Sequence, residues 1–263
     1  MTATAPRNLP SVRSTSDTAL QVFFAWERWG NFINARPGDG QEIPYDAARL
    51  EVKVYPHALG EVRVLRFPKT RTHDHVNKTD TILYEWTARR VQFVGDDAAV
   101  CAPGNISLHP KGVFHHGETL TPGLAVEFAF EVDDPVPNPK PTFVPPEEAP
   151  WVDAAWWCDD SRLVDVDLVA GEPLPGGATP YRRRTVKAGR YVVREVSLAS
   201  GAAIWDPQAT TGRLIVVLSG QVEVAGSDGP VVLGVEDNAC FDTGSFAEYR
   251  ALGEATVLEA IVS

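Results

Sequence analysis

The sequence predicts an all-β protein made of two sets of strands. Short runs rich in β-branched and aromatic residues recur along the chain, each ended by Gly, Pro, Asp or Asn. A proline-dense stretch parts them into two groups, and helical periodicity is weak throughout. Many short strands with turn punctuation point to a sandwich or barrel.

In chain order, residues 1–44 read as a leader. The opening MTATAPRNLPSVRSTSDTAL lacks the apolar core of a secretory signal, which suits a soluble cytoplasmic protein. Within the leader, Leu20 to Phe32 predicts a short helix, because Phe23, Phe24 and Trp29 form a partial apolar face. A first strand unit at 45–132 contains Leu50 to Tyr55, Val62 to Phe67, Thr81 to Trp86, Asn105 to Leu108 and Leu124 to Val132. A connector at 133–180 follows, opening with DDPVPNPKPTFVPPEEAP. Proline at this density cannot feed a sheet ladder and stiffens the chain toward polyproline II. Its next segment, WVDAAWWCDD, holds three of the seven tryptophans and reads as a hydrophobic anchor at an interface, or as an aromatic lid. A second unit at 181–263 contains Tyr191 to Leu198, Arg213 to Leu218, Gln221 to Val224, Val231 to Leu233 and Ala255 to Val262.

With 263 residues, 44% of them hydrophobic, the chain can bury a substantial core. A formal charge of -11 repels nucleic acid and anionic lipid, so neither is expected as a partner. No apolar run approaches the ~20 residues of a membrane helix. Cys101, Cys158 and Cys240 are scattered, with no CxxC and no disulfide framework, which implies structural thiols in a reducing compartment.

The chemistry-bearing stretch is Thr72-His73-Asp74-His75-Val76-Asn77-Lys78-Thr79-Asp80. In an extended strand His73 and His75 share one face, and the carboxylate of Asp80 follows after a turn. Further on, Gly104-Asn-Ile-Ser-Leu-His109-Pro110-Lys-Gly112-Val-Phe-His115 carries a Pro/Gly turn that delivers His115 onto another strand. Imidazoles with a carboxylate suit first-row metals such as iron, manganese, nickel or zinc.

These two elements resemble the motifs of the cupin superfamily. The first motif, HxH then four residues and an acid, is met by His73, His75 and Asp80, with Asp where Glu is usual and with Phe67 and Thr87 where glycines are expected. Gly104, Pro110, Gly112 and His115 meet the second motif in full. The C-terminal half resembles a second cupin without its ligands. Arg213-Leu-Ile-Val-Val-Leu-Ser-Gly220 fits the acid-x6-Gly strand with Arg for the acid, Asp206 and Gln208 stand for the histidines, and Asp242-Thr-Gly244-Ser-Phe-Ala247 ends in Ala where the last ligand belongs. The resemblance implies a bicupin: two jelly-roll barrels, one binding a metal through His73, His75, Asp80 and His115, and one degenerate and metal-free. The phrase SLHPKGVFHHG also resembles the segment carrying the last iron ligand in homogentisate dioxygenase-like bicupins, which implies iron(II) and O2.

Four ligands leave an octahedral ion two open positions, and three leave a facial triad that admits a chelating substrate and O2. Alternation from Asp80 predicts that Ile82, Tyr84 and Trp86 also face the interior. Tyr84 is then a candidate catalytic donor, with Trp86 and Ile82 as substrate contacts. Glu127 is a candidate acid or base if the Val126, Phe128 and Phe130 face packs on a second sheet; otherwise Glu127 and Glu131 are solvated. Arg63 and Arg71 are candidates for holding a substrate carboxylate, Arg71 foremost, or are surface residues. His116 alternates away from His115 toward a supporting role, His109 guards the turn, and Arg182-Arg183-Arg184 reads as a solvated patch or interface contact.

The function these readings favour is an iron(II)-dependent dioxygenase acting with O2 on a small hydroxylated aromatic or heteroaromatic compound, in keeping with specialised metabolism. A redox-neutral metal-dependent isomerase, epimerase or dehydratase is the alternative, and a non-catalytic small-ligand module is the third. Exposed barrel edges and the Trp-rich segment suit a homodimer.

Overall fold

A computed structural model describes residues 13–14, 20–23, 30–31, 50–69, 71–72, 75–76, 79–94, 97–109, 111, 114–131, 182–188, 190–206, 211–226, 229–243 and 247–262. The expectations for the Pro-rich connector, the Trp-rich segment and Cys158 fall outside them. No helix occurs among the described residues, and so none is long and apolar enough to cross a membrane.

The leader supplies β1 (Arg13–Ser14), β2 (Leu20–Phe23) and β3 (Gly30–Asn31). The first unit continues with β4 (Glu51–His57), β5 (Gly60–Phe67), β6 (His75–Val76), β7 (Asp80–Glu85), β8 (Arg89–Val94), β9 (Asp97–Cys101), β10 (Ile106–His109), β11 (Phe114–Thr121) and β12 (Gly123–Phe130). The second comprises β13 (Arg182–Ala188), β14 (Tyr191–Leu198), β15 (Ala203–Asp206), β16 (Gly212–Ser219), β17 (Val222–Gly226), β18 (Gly229–Leu233), β19 (Asn238–Phe241), β20 (Ala247–Ala251) and β21 (Ala255–Val262).

Each unit has two antiparallel sheets. In the first they run β10-β7-β12-β5-β4-β3 and β6-β11-β8-β9; in the second, β1-β2-β19-β16-β21-β14-β13 and β15-β20-β17-β18. Leaving out the leader strands β1, β2 and β3, the strand orders correspond one for one, and so do the registers. Leu83 lies opposite Glu127 as Ile215 lies opposite Glu259. His75 lies opposite His115 as Asp206 lies opposite Ala247, and Gln92 opposite Gly117 as Val224 opposite Tyr249. The repeat extends to the backbone: Gly104 and Glu236, at equivalent places, both take positive φ, of 90° and 70°. It also refines two assignments. Asp206 corresponds to His75 rather than to His73, and Arg213 corresponds to Thr81, one residue beyond Asp80.

The expected helix at Leu20 to Phe32 is not formed where the chain is described. Leu20–Phe23 is β2, paired with β19, and Gly30–Asn31 pairs with β4. The leader therefore edges a sheet in both units. Val22, 2% exposed, joins the second unit's core, and that tertiary pairing outweighs a weak local helical pattern.

The larger sheets of the two units pack on each other. One continuous core joins Ile82, Tyr84, Val126, Phe128 and Phe130 to Tyr191, Val193, Leu214, Val216 and Leu258. Polar contacts tie its margins: Tyr84 donates to Glu195 Oε2 at 2.8 Å, Tyr191 to Asp80 Oδ2 at 2.7 Å, and His57 Nε2 hydrogen-bonds Asn238 Oδ1 at 2.7 Å. Lys53 pairs with Glu236 across the same boundary.

Candidate metal centre and cavity

The inter-unit core fixes which face of each strand looks into the first barrel. On β7 the residues turned toward the other unit are Ile82 and Tyr84, so Thr81, Leu83 and Glu85 face inward. Four expected site residues are accordingly not in the cavity. Ile82 and Tyr84 belong to the inter-unit core, and Trp86 packs against it. The Asp80 carboxylate is engaged on both oxygens, Oδ1 accepting from the Lys111 backbone N–H at 2.8 Å and Oδ2 from Tyr191. Side chains alternate along β7 with Ile82 and Tyr84 on the face turned from the cavity, the reverse of the expected phase. Both faces of β7 are covered, so both are rich in apolar residues and hydrophobicity alone does not choose between them. Arg71 is also elsewhere. Its backbone forms an isolated β-bridge with that of Glu118, a register position on the face opposite Gly117, while its neighbour Thr72 lines the cavity.

The cavity lies between the two sheets of the first unit and holds about 40 Å³. Its apolar wall is Leu50, Leu65, Phe67 and Leu83, and its polar wall includes Arg63, Glu127, His109, His115, Arg90 and Gln92. Glu127 reaches it because Val126 and Phe128 take the other face. Arg63 holds Glu127 through Nη1 at 2.6 Å and Glu61 through Nε and Nη2 at 2.9 and 2.7 Å.

Three histidines are brought to this region by strand pairing. His115 on β11 lies directly opposite His75 on β6 in the strand register. The His109 ring is 4.6 Å from that of His115, and its Nε2 is 3.0 Å from Ser107 Oγ. His109 is thus a wall residue of the cavity, which its place at a turn did not reveal; its register opposite Thr81 is the signal. His116 stacks on Phe93 at 4.2 Å. His73 lies outside the described residues, and among the described residues no three His, Cys, Asp or Glu side chains converge as metal ligands. Paired strand positions bearing His75 and His115 beside a buried polar cavity fit a first-row metal in donor chemistry.

Deeper in the barrel, Glu85 accepts from Gln92 Nε2 at 2.8 Å and lies 3.5 Å from Arg90 Nε. Burial raises the Glu85 pKa, against the opposing pull of Arg90 and the Gln92 hydrogen bond. Arg90 also stacks over Phe67, its guanidinium carbon 3.6 Å from the ring centre. Cys101 is buried beside this group, and desolvation pushes its thiol far above the ordinary range, as an inert structural cysteine.

The second barrel is furnished differently. Arg213, 2% exposed, sends Nη1 to Glu259 Oε1 at 3.2 Å, and Arg194 Nη1 is 3.7 Å from Glu259 Oε2. Tyr249 is buried beside them, its pKa pushed up by desolvation and by the Glu259 charge.

No family model matches the sequence, and no curated protein matches it. Solved structures do. The chain is similar to AerE from Microcystis aeruginosa at 11% identity and TM-score 0.60, over 81% of this chain and 92% of that one. It is similar to a salicylate 1,2-dioxygenase from Pseudaminobacter salicylatoxidans at 11% identity and TM-score 0.57, over 85% and 80% of the two chains. It is also similar to Bacillus subtilis oxalate decarboxylase, a protein with Mn(II) centres, at 11% identity and TM-score 0.54, over 81% and 73%. The likeness is one of fold: all-β, with two cupin jelly-roll barrels in one chain.

Proposed function

We propose that the protein is a metal-dependent cupin enzyme whose centre is held in the first barrel by His73, His75 and His115, and that it is an iron(II)-dependent dioxygenase of small hydroxylated aromatic compounds. The observation that carries the reading is the register of His75 opposite His115 at the edge of a buried polar cavity. The resemblance of SLHPKGVFHHG to the iron-ligand segment of homogentisate dioxygenase-like bicupins, and the likeness in fold to a salicylate 1,2-dioxygenase, favour iron and O2. Three histidines without Asp80 form a facial set with room for a chelating substrate and O2. The ion supplies an open redox-active centre; the chain supplies the rest. Leu50, Leu65, Phe67 and Leu83 exclude bulk water on one side. On the other, Arg63 holds Glu127 at 2.6 Å as a fixed carboxylate able to take a proton from a substrate hydroxyl.

That same fixed Glu127 supports a second reading, a redox-neutral isomerase or dehydratase in which the carboxylate moves a proton and O2 plays no part. Metal analysis of the purified protein and a His115→Ala variant, with O2 uptake on phenols and hydroxypyridines, tests both. One equivalent of iron, lost in the variant, with O2 consumed is the expected result. Manganese, nickel or zinc with turnover but no O2 uptake selects the second reading. Equal metal in both proteins overturns the site.

A further inference from the structure

The internal repeat exposes a polar group that the fold itself does not need. Glu85, Arg90 and Gln92 occupy the positions filled in the second barrel by Val217, Val222 and Val224. All six residues are buried. One barrel closes its interior with three valines; the other buries a carboxylate, a guanidinium and a carboxamide there, against the cost of desolvating them.

The group does not satisfy itself. Beyond the Gln92–Glu85 hydrogen bond and the Arg90–Glu85 ion pair, Glu85 Oε2, Gln92 Oε1 and Arg90 Nη1 have no hydrogen-bond partner. Arg90 and Gln92 both border the cavity. They lie against Gly117, where a Cβ would come within 2.5 Å of Arg90 Nη2 and 3.0 Å of Gln92 Oε1. Gly117 is two residues from His115 on the same face, and its counterpart in the second barrel is Tyr249. The other cavity cation, Arg63, directs its three nitrogens to Glu61 and Glu127. Arg90 is therefore the cavity cation, among the described residues, with N–H groups left to give.

We propose that Arg90 and Gln92, braced by Glu85, form a subsite for a carboxylate with a neighbouring hydroxyl group. The carboxylate accepts from the planar guanidinium, and the hydroxyl donates to Gln92 Oε1. A volume of about 40 Å³ is a fraction of the ~150 Å³ that holds benzene, so it takes this polar head while the rest of the ligand points to the mouth. The inference names the ligand of the cavity proposed above as the active site and rests on that reading for its link to His115.

Calorimetric titration of the purified full-length protein with salicylate against benzoate, and with lactate against propionate, tests it. At least one hydroxy acid should bind at least about tenfold more tightly than its deoxy partner, since a polar group left unmet in a buried site is costly. Which pair shows the preference tells whether the ligand is aromatic or aliphatic. Arg90→Met should abolish that binding. The triple variant Glu85→Val, Arg90→Val, Gln92→Val should abolish it too while melting no lower than the wild type, as the second barrel's valines imply. His115→Ala should lose metal yet keep the preference, so a failed metal site and a failed subsite are told apart. The proposal is overturned if neither hydroxy acid binds, if deoxy partners bind equally, if the triple variant still binds or does not fold, or if His115→Ala alone removes binding.

Discussion

The two barrels carry the same strands in the same register and differ in what they put inside. Glu127 faces Arg63 across β12 and β5, and Glu259 faces Arg194 across β21 and β14, so the two interiors share an acid–guanidinium pair at equivalent positions. At the position of Thr81 the second barrel has Arg213, whose guanidinium turns onto Glu259. At the position of Gly117 it has Tyr249. At the paired register positions of His75 and His115 it has Asp206 and Ala247. At Thr81 and Gly117 the first barrel is small where the second carries Arg213 and Tyr249, whereas at Glu85, Arg90 and Gln92 it is the second barrel that is smaller, with valines. One scaffold tolerates both states, and the cavity comes from a few inward positions.

The largest expected effect on stability comes from removing the fixed cation. Arg213→Met leaves Glu259 buried at 0% exposure with only the more distant Arg194, and should lower the unfolding free energy by about 3 kcal/mol. Adding Glu259→Leu should restore most of it, because an apolar pair of similar volume avoids the uncompensated charge. If denaturant unfolding shows the double variant no better than the single, the pair is not the unit of stabilisation. Conversely, Gly117→Tyr imports the second barrel's filling into the first. Its Cβ alone meets Arg90 Nη2 at 2.5 Å, and the ring would occupy the cavity. The protein should still fold, with kcat/KM reduced ~100-fold or more, as small displacements in a site already cost that much. Activity near wild type would move the active site out of this barrel.

The comparison also explains what the sequence could and could not show. Strands such as Tyr191–Leu198 and Ala255–Val262 were legible at both ends because their apolar runs are bounded by polar turns. β8 is not legible, since Arg90 and Gln92 are polar yet inward and spoil the expected alternation, and β11 is marked only by the turn that delivers His115, its inward Thr119 being polar as well. The motif histidines were visible as spacing. Asp80 was visible too, but its direction depends on which face of β7 meets the other barrel, a fact held in Tyr191 and Leu214, far along the chain. β2 reads as a weak helix until β19 is there to pair with it.

The seam between the barrels should respond to pH. His57, hydrogen-bonded to Asn238, has its pKa lowered to about 4 by desolvation, which outweighs the raising effect of that bond. A histidine whose folded pKa lies below its unfolded value gives full stability above the unfolded value of 6.5 and loses it as pH falls toward about 4. Unfolding free energy should therefore drop by roughly 2 kcal/mol between those limits. His57→Gln should remove most of that slope; an unchanged slope would place the titration elsewhere.

The smallest expected effect is the most pointed one. If Asp80 is a strut that joins the turn before His115 to the second barrel, Asp80→Asn weakens two hydrogen bonds without touching the metal. The cost should be about 1 kcal/mol, and Tyr191→Phe, which leaves the Lys111 contact in place, should cost less. Metal stoichiometry should stay at the wild-type value in both variants. A full loss of metal in Asp80→Asn, with Tyr191→Phe unaffected, would return this carboxylate to the ligand set and invert the facing of β7. Modest destabilisation, smaller in Tyr191→Phe than in Asp80→Asn, with metal retained in both would make it a joint between barrels, set one residue before the inward position that Arg213 marks in the other half.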